Sequence, residues 1–189
     1  MVKAAVFLDR DGVINANLER DGKPVAPTRI EEFRFLPGVQ DAIRRLKEAG
    51  YTVIVCTNQP DVATGRTSRS TLDAMHALVR EKLKVDDIKA CFHTDQDGCG
   101  CRKPKPGMLL AAAREHGIDL AASYMVGDRW RDVMAGRAAG CRTIFVDYGY
   151  RQDGPNEPDH VVASLPDAVD IIVGRGRQKS RLASNQPVT

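Results

Sequence analysis

Short apolar runs recur along the chain, and each is followed by a stretch whose apolar positions carry helical spacing. The series opens with AAVFL and continues through PGVQDAIRRLKEAG, YTVIVC and SRSTLDAMHALVREKL. It then passes through IKACFH, PGMLLAAAREHG, SYMVG, RWRDVMAGRAAG and TIFVDYG. Strand-length runs alternating with amphipathic helices predict an α/β fold, in which a mainly parallel sheet of Rossmann-like character lies between two helical layers. The helix punctuation agrees. Pro37 and Pro106 suit helix starts, while Gly50, Gly117 and Gly140 suit helix ends. A weak strand in HVVAS and a short helix over LPDAVDIIV are expected to close the domain. One stretch breaks the rhythm: ANLERDGKPVAPTRIEEFRF, residues 16–35, is polar and turn-rich. It is expected to form a long functional loop, because it is too small for a separate cap domain.

Composition adds bounds to this picture. A chain of 189 residues, 42% hydrophobic, has room for one substantial core, expected over residues 1–173. The formal charge of +3 belongs to the end of the chain, where residues 174–189 carry four basic residues and no acidic one. That basic segment is rich in Gly, Ser, Gln and Arg, which predicts a disordered tail, and a nucleic-acid partner is not expected from it. No stretch approaches the roughly 20 apolar residues of a membrane span, and the opening MVKAAVFLDRDG breaks at charges too early for a signal peptide. A soluble, cytoplasmic protein is therefore expected, and a monomer, since no apolar helix face is left over once the sheet is covered. Five cysteines in a reducing compartment argue against a disulfide framework. Cys56 and Cys141 lie in strand-like contexts and suit buried positions; the other three crowd into CFHTDQDGCGCRKPKPG.

In open α/β sheets ligands bind outside the carboxyl ends of the strands, so the residues after each apolar run carry the candidate chemistry. Asp9-Arg10-Asp11-Gly12 offers two carboxylates at i and i+2, able to divide nucleophilic and proton-transfer work and to hold Mg²⁺; alone it would be an ordinary Asp-Gly turn. Thr57-Asn58-Gln59 supplies a hydroxyl and two amides. Arg102-Lys103 precedes a helix start, where a lysine can neutralise a phosphoryl group. Gly127-Asp128-Arg129-Trp130-Arg131-Asp132 adds a carboxylate for an oxygen-rich metal site, with Asp132 behind it as support. Each element taken singly has a plain structural explanation; their order at four successive strand ends does not.

This arrangement resembles the haloacid dehalogenase superfamily of phosphotransferases over nearly the whole chain. The resemblance implies that Asp9 attacks phosphorus to form an aspartyl phosphate, and that Asp11 protonates the leaving oxygen and then activates water. It also implies that Thr57 and Lys103 stabilise the phosphoryl group, and that Asp9, Asp11 and Asp128 hold Mg²⁺.

The spacing Cys91-x-His93-x5-Cys99-x-Cys101 supplies three thiolates and one imidazole, the ligand set of a closed structural zinc site; thiol redox chemistry is the rival. With this loop included, DRDGVIN, TNQ, CRKPKPGM and MVGD are similar to the D-glycero-D-manno-heptose 1,7-bisphosphate 7-phosphatase family, with histidinol-phosphate phosphatases nearby. By that resemblance the zinc loop shapes the site in place of a cap, and Arg102 and Arg129 face the substrate, joined by Asn17, Arg20, Asn58 and Gln59. The implied reaction removes the 7-phosphate of a heptose bisphosphate in the synthesis of nucleotide-activated heptose. Histidinol phosphate and other small sugar phosphates are the enzymatic alternatives, followed by a DNA end. A zinc-stabilised binding module is the alternative from another class. The chain continues TNQ with Pro60-Asp61-Val62, where that family usually has Ser-Gly-Ile.

Overall fold

The computed structural model describes residues 3–151, 153–154 and 157–183, with side chains given to residue 174. Six strands form one parallel sheet: β1 (Ala5–Leu8), β4 (Thr52–Asn58), β5 (Asp87–Cys91), β6 (Tyr124–Gly127), β7 (Arg142–Val146) and β8 (His160–Val162). Their order is β5-β4-β1-β6-β7-β8, and every neighbouring pair is parallel. All four residues of β1 are buried on both faces, as a strand covered by helices on each side must be.

Alternation along the strands sorts the core into two layers. Val6, Leu8, Val53, Val55, Val126, Ile144 and Val146 point to the side covered by α1 (Val39–Glu48), α2 (Arg69–Leu83) and α5 (Leu165–Ala183). Ala5, Phe7, Ile54, Cys56 and Met125 point to the other side, against α3 (Gly107–His116) and Ala139 of α4 (Trp130–Ala139). Cys56 and Cys141 are buried, as expected. Pro106 occupies the N-cap of α3, and Gly117 and Gly140 end their helices at positive φ.

The sheet's switch point lies at the carboxyl end of β1, because β4 pairs on one side of it and β6 on the other. Leu8 is in register with both Val55 and Val126, and the Asp9 amide donates to the Val126 carbonyl at 2.9 Å. Cys56 and Gly127 are thus level with Asp9, and Thr57 and Asp128 stand one residue further along.

Two departures from expectation concern the connections. Residues 16–35 hold an antiparallel hairpin, β2 (Leu18–Arg20) and β3 (Lys23–Val25), and a short 3₁₀ turn at Ile30–Glu32. The hairpin closes through Asp21-Gly22, both at positive φ (54° and 69°), the backbone that a tight two-residue hairpin turn requires. No cap domain is present among the described residues. The last helix also runs past Val173 to Ala183. Its side chains beyond residue 174, and residues 184–189 altogether, lie outside the described residues, and with them the expectation of a disordered tail.

Candidate active site and adjoining metal centre

Asp9 follows β1 directly and is 8% exposed. Lys103 is 2% exposed, and its Nζ lies 3.0 Å from Asp9 Oδ1, 2.5 Å from Asp132 Oδ1 and 2.7 Å from the Cys56 carbonyl. Carboxylate oxygens of Asp9, Asp128 and Asp132 gather within 4.8 Å. Burial, followed by repulsion from Asp132, pushes the Asp9 acid up to about 7 against the pull of Lys103. Burial and the charge of Asp9 likewise push Asp128 well above the carboxylate range. Desolvation works against the Lys103 charge, but Asp132 and Asp9 outweigh it and raise its pKa.

Three carboxylates face the Lys103 ammonium, with the Arg129 guanidinium at the edge beside Asp128, so negative charge remains in excess on oxygen donors that suit a divalent cation. The backbone is shaped to the same end. Gly12 has φ +83°, and a Cβ there would lie 2.2 Å from Asp128 Oδ2. At Gly127 a Cβ would lie 2.1 Å from the Cβ of Asp132. Asp132 is then held between Lys103 and the Arg129 amide, which donates to Asp132 Oδ2 at 3.0 Å.

The other expected residues take distinct positions. The Asp11 carboxylate turns toward Arg10, whose Nη2 lies 2.9 and 3.0 Å from its two oxygens. It also accepts from Asn15 Nδ2 at 2.9 Å and Gln59 Nε2 at 2.7 Å. It is therefore not part of the three-carboxylate cluster. Thr57 is fully buried, and its hydroxyl accepts from Gln59 at 2.8 Å. Asn58 clamps the Lys103 backbone, donating to its carbonyl and accepting from its amide at 3.0 and 3.1 Å. Asn17 donates to Asp128 Oδ2 at 3.1 Å, and Arg129 Nε lies 3.3 Å from the same oxygen. Arg20 pairs with Glu32 at 3.1 Å.

These groups surround a cleft of about 930 Å³. Asp9, Asp11, Asp128 and Lys103 line it, and Arg20, Lys23, Arg66, Arg102, Arg129 and Arg131 add a basic wall. A second groove of about 920 Å³, between Phe35, Val39 and Leu83, holds none of this chemistry. Sequence reasoning had assigned no role to Arg131, Arg66 or Lys23. Arg131 carried a signal, since a cation in the first turn of a helix opposes the macrodipole.

Beside the cleft, Cys91, His93, Cys99 and Cys101 turn their donor atoms to one point. The sulfur–sulfur separations are 3.1, 3.4 and 3.7 Å, and His93 Nδ1 lies 3.3 and 3.5 Å from two of the sulfurs. These spacings exceed the S–S bond of about 2.05 Å, and they are close to the tetrahedron edges implied by metal–ligand lengths of about 2.0–2.3 Å. The loop is pinned by Lys105, which donates to the Gly98 and Cys99 carbonyls at 2.9 and 2.7 Å. Gly107 packs so closely that a Cβ would lie 2.2 Å from the Gly100 carbonyl oxygen. Burial pushes the Cys99 thiol up, yet hydrogen bonds led by the Arg102 amide bring it down to about 7.

Comparison with known proteins agrees with this geometry. A family model described as HAD-hydrolase-like matches residues 100–168. A Pseudomonas aeruginosa protein named D-glycero-beta-D-manno-heptose-1,7-bisphosphate 7-phosphatase is 40% identical over 154 residues, which cover 79% of this chain and 84% of that one. The chain belongs to the D-glycero-β-D-manno-heptose-1,7-bisphosphate 7-phosphatase family. The Escherichia coli K12 protein of the same name is 37% identical over 183 residues, covering 89% of this chain and 93% of that one. A Bordetella bronchiseptica D,D-heptose 1,7-bisphosphate phosphatase, solved with magnesium and phosphate, has a TM-score of 0.80 at 35% identity. That match covers 91% of this chain and 99% of the other. As a member of this heptose bisphosphate phosphatase family, the chain is a phosphatase of the haloacid dehalogenase fold. Among the described residues no helix is long and apolar enough to cross a membrane.

Proposed function

We propose that this phosphatase removes the C7 phosphate of D-glycero-D-manno-heptose 1,7-bisphosphate, with Mg²⁺ and a structural zinc ion, as a cytoplasmic monomer. The observation that carries the choice of substrate is the shape of the charge. One cleft joins a buried end built on Asp9, Asp128 and Lys103 to a wall bearing five arginines and Lys23. That pattern suits a small molecule with an anionic group at each end.

In the proposed reaction the Asp9 carboxylate attacks phosphorus, and the bond from phosphorus to the C7 oxygen breaks. Asp11 gives its proton to that oxygen. The aspartyl phosphate then loses its phosphoryl group to water, whose proton Asp11 takes, returning both carboxylates to their starting forms. Lys103, 3.0 Å from Asp9, favours the ionised nucleophile and faces the phosphoryl oxygens. The Thr57 hydroxyl, while accepting from Gln59, still has its own proton to donate. Mg²⁺, held by the Asp9 and Asp128 carboxylates with Asp11 contributing through its backbone carbonyl, would neutralise charge on the transferring group.

A panel of phosphate esters tests the substrate. Heptose 1,7-bisphosphate is expected to exceed heptose 7-phosphate and histidinol phosphate in kcat/KM by at least tenfold. Parity among them, or a preference for a phosphorylated oligonucleotide end, would remove the assignment.

A further inference from the structure

Asp95 sits in the short 3₁₀ turn of the cysteine loop, after His93, with its side chain 60% exposed. An exposed aspartate normally faces water. This one instead bridges two arginines that belong to different parts of the chain. Arg102, which follows the loop, donates through Nε to Asp95 Oδ1 at 2.8 Å. Arg131, in the first turn of α4, donates through Nη1 to the same oxygen at 2.9 Å and through Nη2 to Oδ2 at 3.3 Å. Arg131 Nη1 also reaches the Lys103 carbonyl at 3.4 Å. Both arginines line the cleft.

The way each guanidinium is used matters. Arg102 spends only Nε on the carboxylate, and its Nη1 is buried without a hydrogen-bond partner among the described residues. An arginine fork fixed at Nε presents its two terminal nitrogens in a defined direction, the geometry suited to a phosphate. Two guanidinium groups so close would repel and splay apart without a shared counter-charge. Arg131 also stands where the helix dipole disfavours a cation, so its placement needs an anion nearby.

We propose that Asp95 is a specificity-determining positioning residue, which ties Arg102 and Arg131 into one two-arginine site for the phosphate that is not hydrolysed. This rests on the bisphosphate reading given above. It adds Arg131 as a substrate contact and gives the cysteine loop a second task besides holding its own fold: it delivers the carboxylate that organises the anion grip. Without Asp95 the two side chains lose a fixed geometry, and the substrate must then order them at its own entropic cost.

The test compares wild type with Asp95→Ala, Arg131→Ala and the double variant, on heptose 1,7-bisphosphate and on heptose 7-phosphate. Each single variant is expected to lower the kcat/KM ratio of bisphosphate to monophosphate at least tenfold, mainly through KM for the bisphosphate. The double variant should lose little more than either single one, because the residues act as a unit. Asp95→Glu, which keeps the charge, should recover part of the ratio, and zinc content should match wild type in every variant. An unchanged ratio in Asp95→Ala, or a loss shared equally by the two substrates, overturns the proposal while leaving the bisphosphate reading intact. A wild type with no preference for the bisphosphate overturns both.

Discussion

Replacing Lys103 by Met tests whether this lysine balances the buried carboxylates. Lys103 Nζ stands 3.0 Å from Asp9 and 2.5 Å from Asp132, and all three side chains are nearly inaccessible. At an effective dielectric of about 20 each contact carries roughly 5–7 kcal/mol of gross Coulomb energy. Desolvation offsets much of it, and breaking such a pair from one side costs about 3–5 kcal/mol. For a domain of this size that is a fall in melting temperature of about 6–20 °C. The pH dependence has a definite sign. Asp9 already has a folded pKa of about 7, above its ordinary 3.8, so the folded state binds more protons between those values and stability falls as pH rises through that window. With Lys103 gone, Asp9 and Asp128 rise further, and the fall becomes deeper and extends to higher pH. Thermal and urea unfolding of both proteins without added Mg²⁺, at pH 5.5 and pH 8, should show the larger deficit at pH 8. Added Mg²⁺ should recover part of it by binding the folded state. A deficit under about 1 kcal/mol, equal at both pH values, would refute the role given to Lys103.

Other consequences are open to measurement. Cys99→Ser should lower bound zinc and raise KM by loosening the loop that positions Arg102, which follows Cys101 and donates to Asp95 of the same loop; normal zinc content with wild-type kinetics would separate the loop from the cleft. His76 is buried beside Arg10, 3.3 Å away, and burial followed by the Arg10 charge lowers its pKa from 6.5 to about 4. Its contribution is full above pH 6.5 and is lost as pH falls toward 4, up to about 3 kcal/mol. His76→Gln should flatten that limb of the stability profile in urea unfolding. Gly12→Ala should weaken Mg²⁺ binding, measured calorimetrically, because its Cβ would collide with Asp128 at a backbone angle only glycine adopts freely. Unaltered affinity would show that the turn does not shape the cation site.

The α/β layering was legible because strand-length apolar runs and amphipathic helices differ in period, and because Pro106, Gly117 and Gly140 mark real helix ends. Asp9, Thr57, Lys103 and Asp128 could be singled out since strand ends in such sheets converge. What a linear reading misses is direction. Asn58 and Gln59 stand at the same strand end as Thr57, yet Asn58 turns to the Lys103 backbone and Gln59 to Asp11 and Thr57. Asp11 lies two residues from Asp9, but buried Arg10 draws its carboxylate away from Asp128. The hairpin at Asp21-Gly22 was passed over because its strands are only three residues long, too short for alternation to register. Arg131 and Asp95 are 36 residues apart, and nothing in local spacing announces that pair.

Asp9 is proposed as the nucleophile in hydrolysis of a heptose bisphosphate. Acyl phosphates are reduced by borohydride, so quenching the enzyme during turnover of heptose 1,7-bisphosphate with Mg²⁺ should convert Asp9 to homoserine. Peptide mass spectrometry should find that change at position 9 only when substrate is present. A turning-over enzyme with Asp9 unmodified, or an Asp9→Asn variant with wild-type turnover, would contradict it.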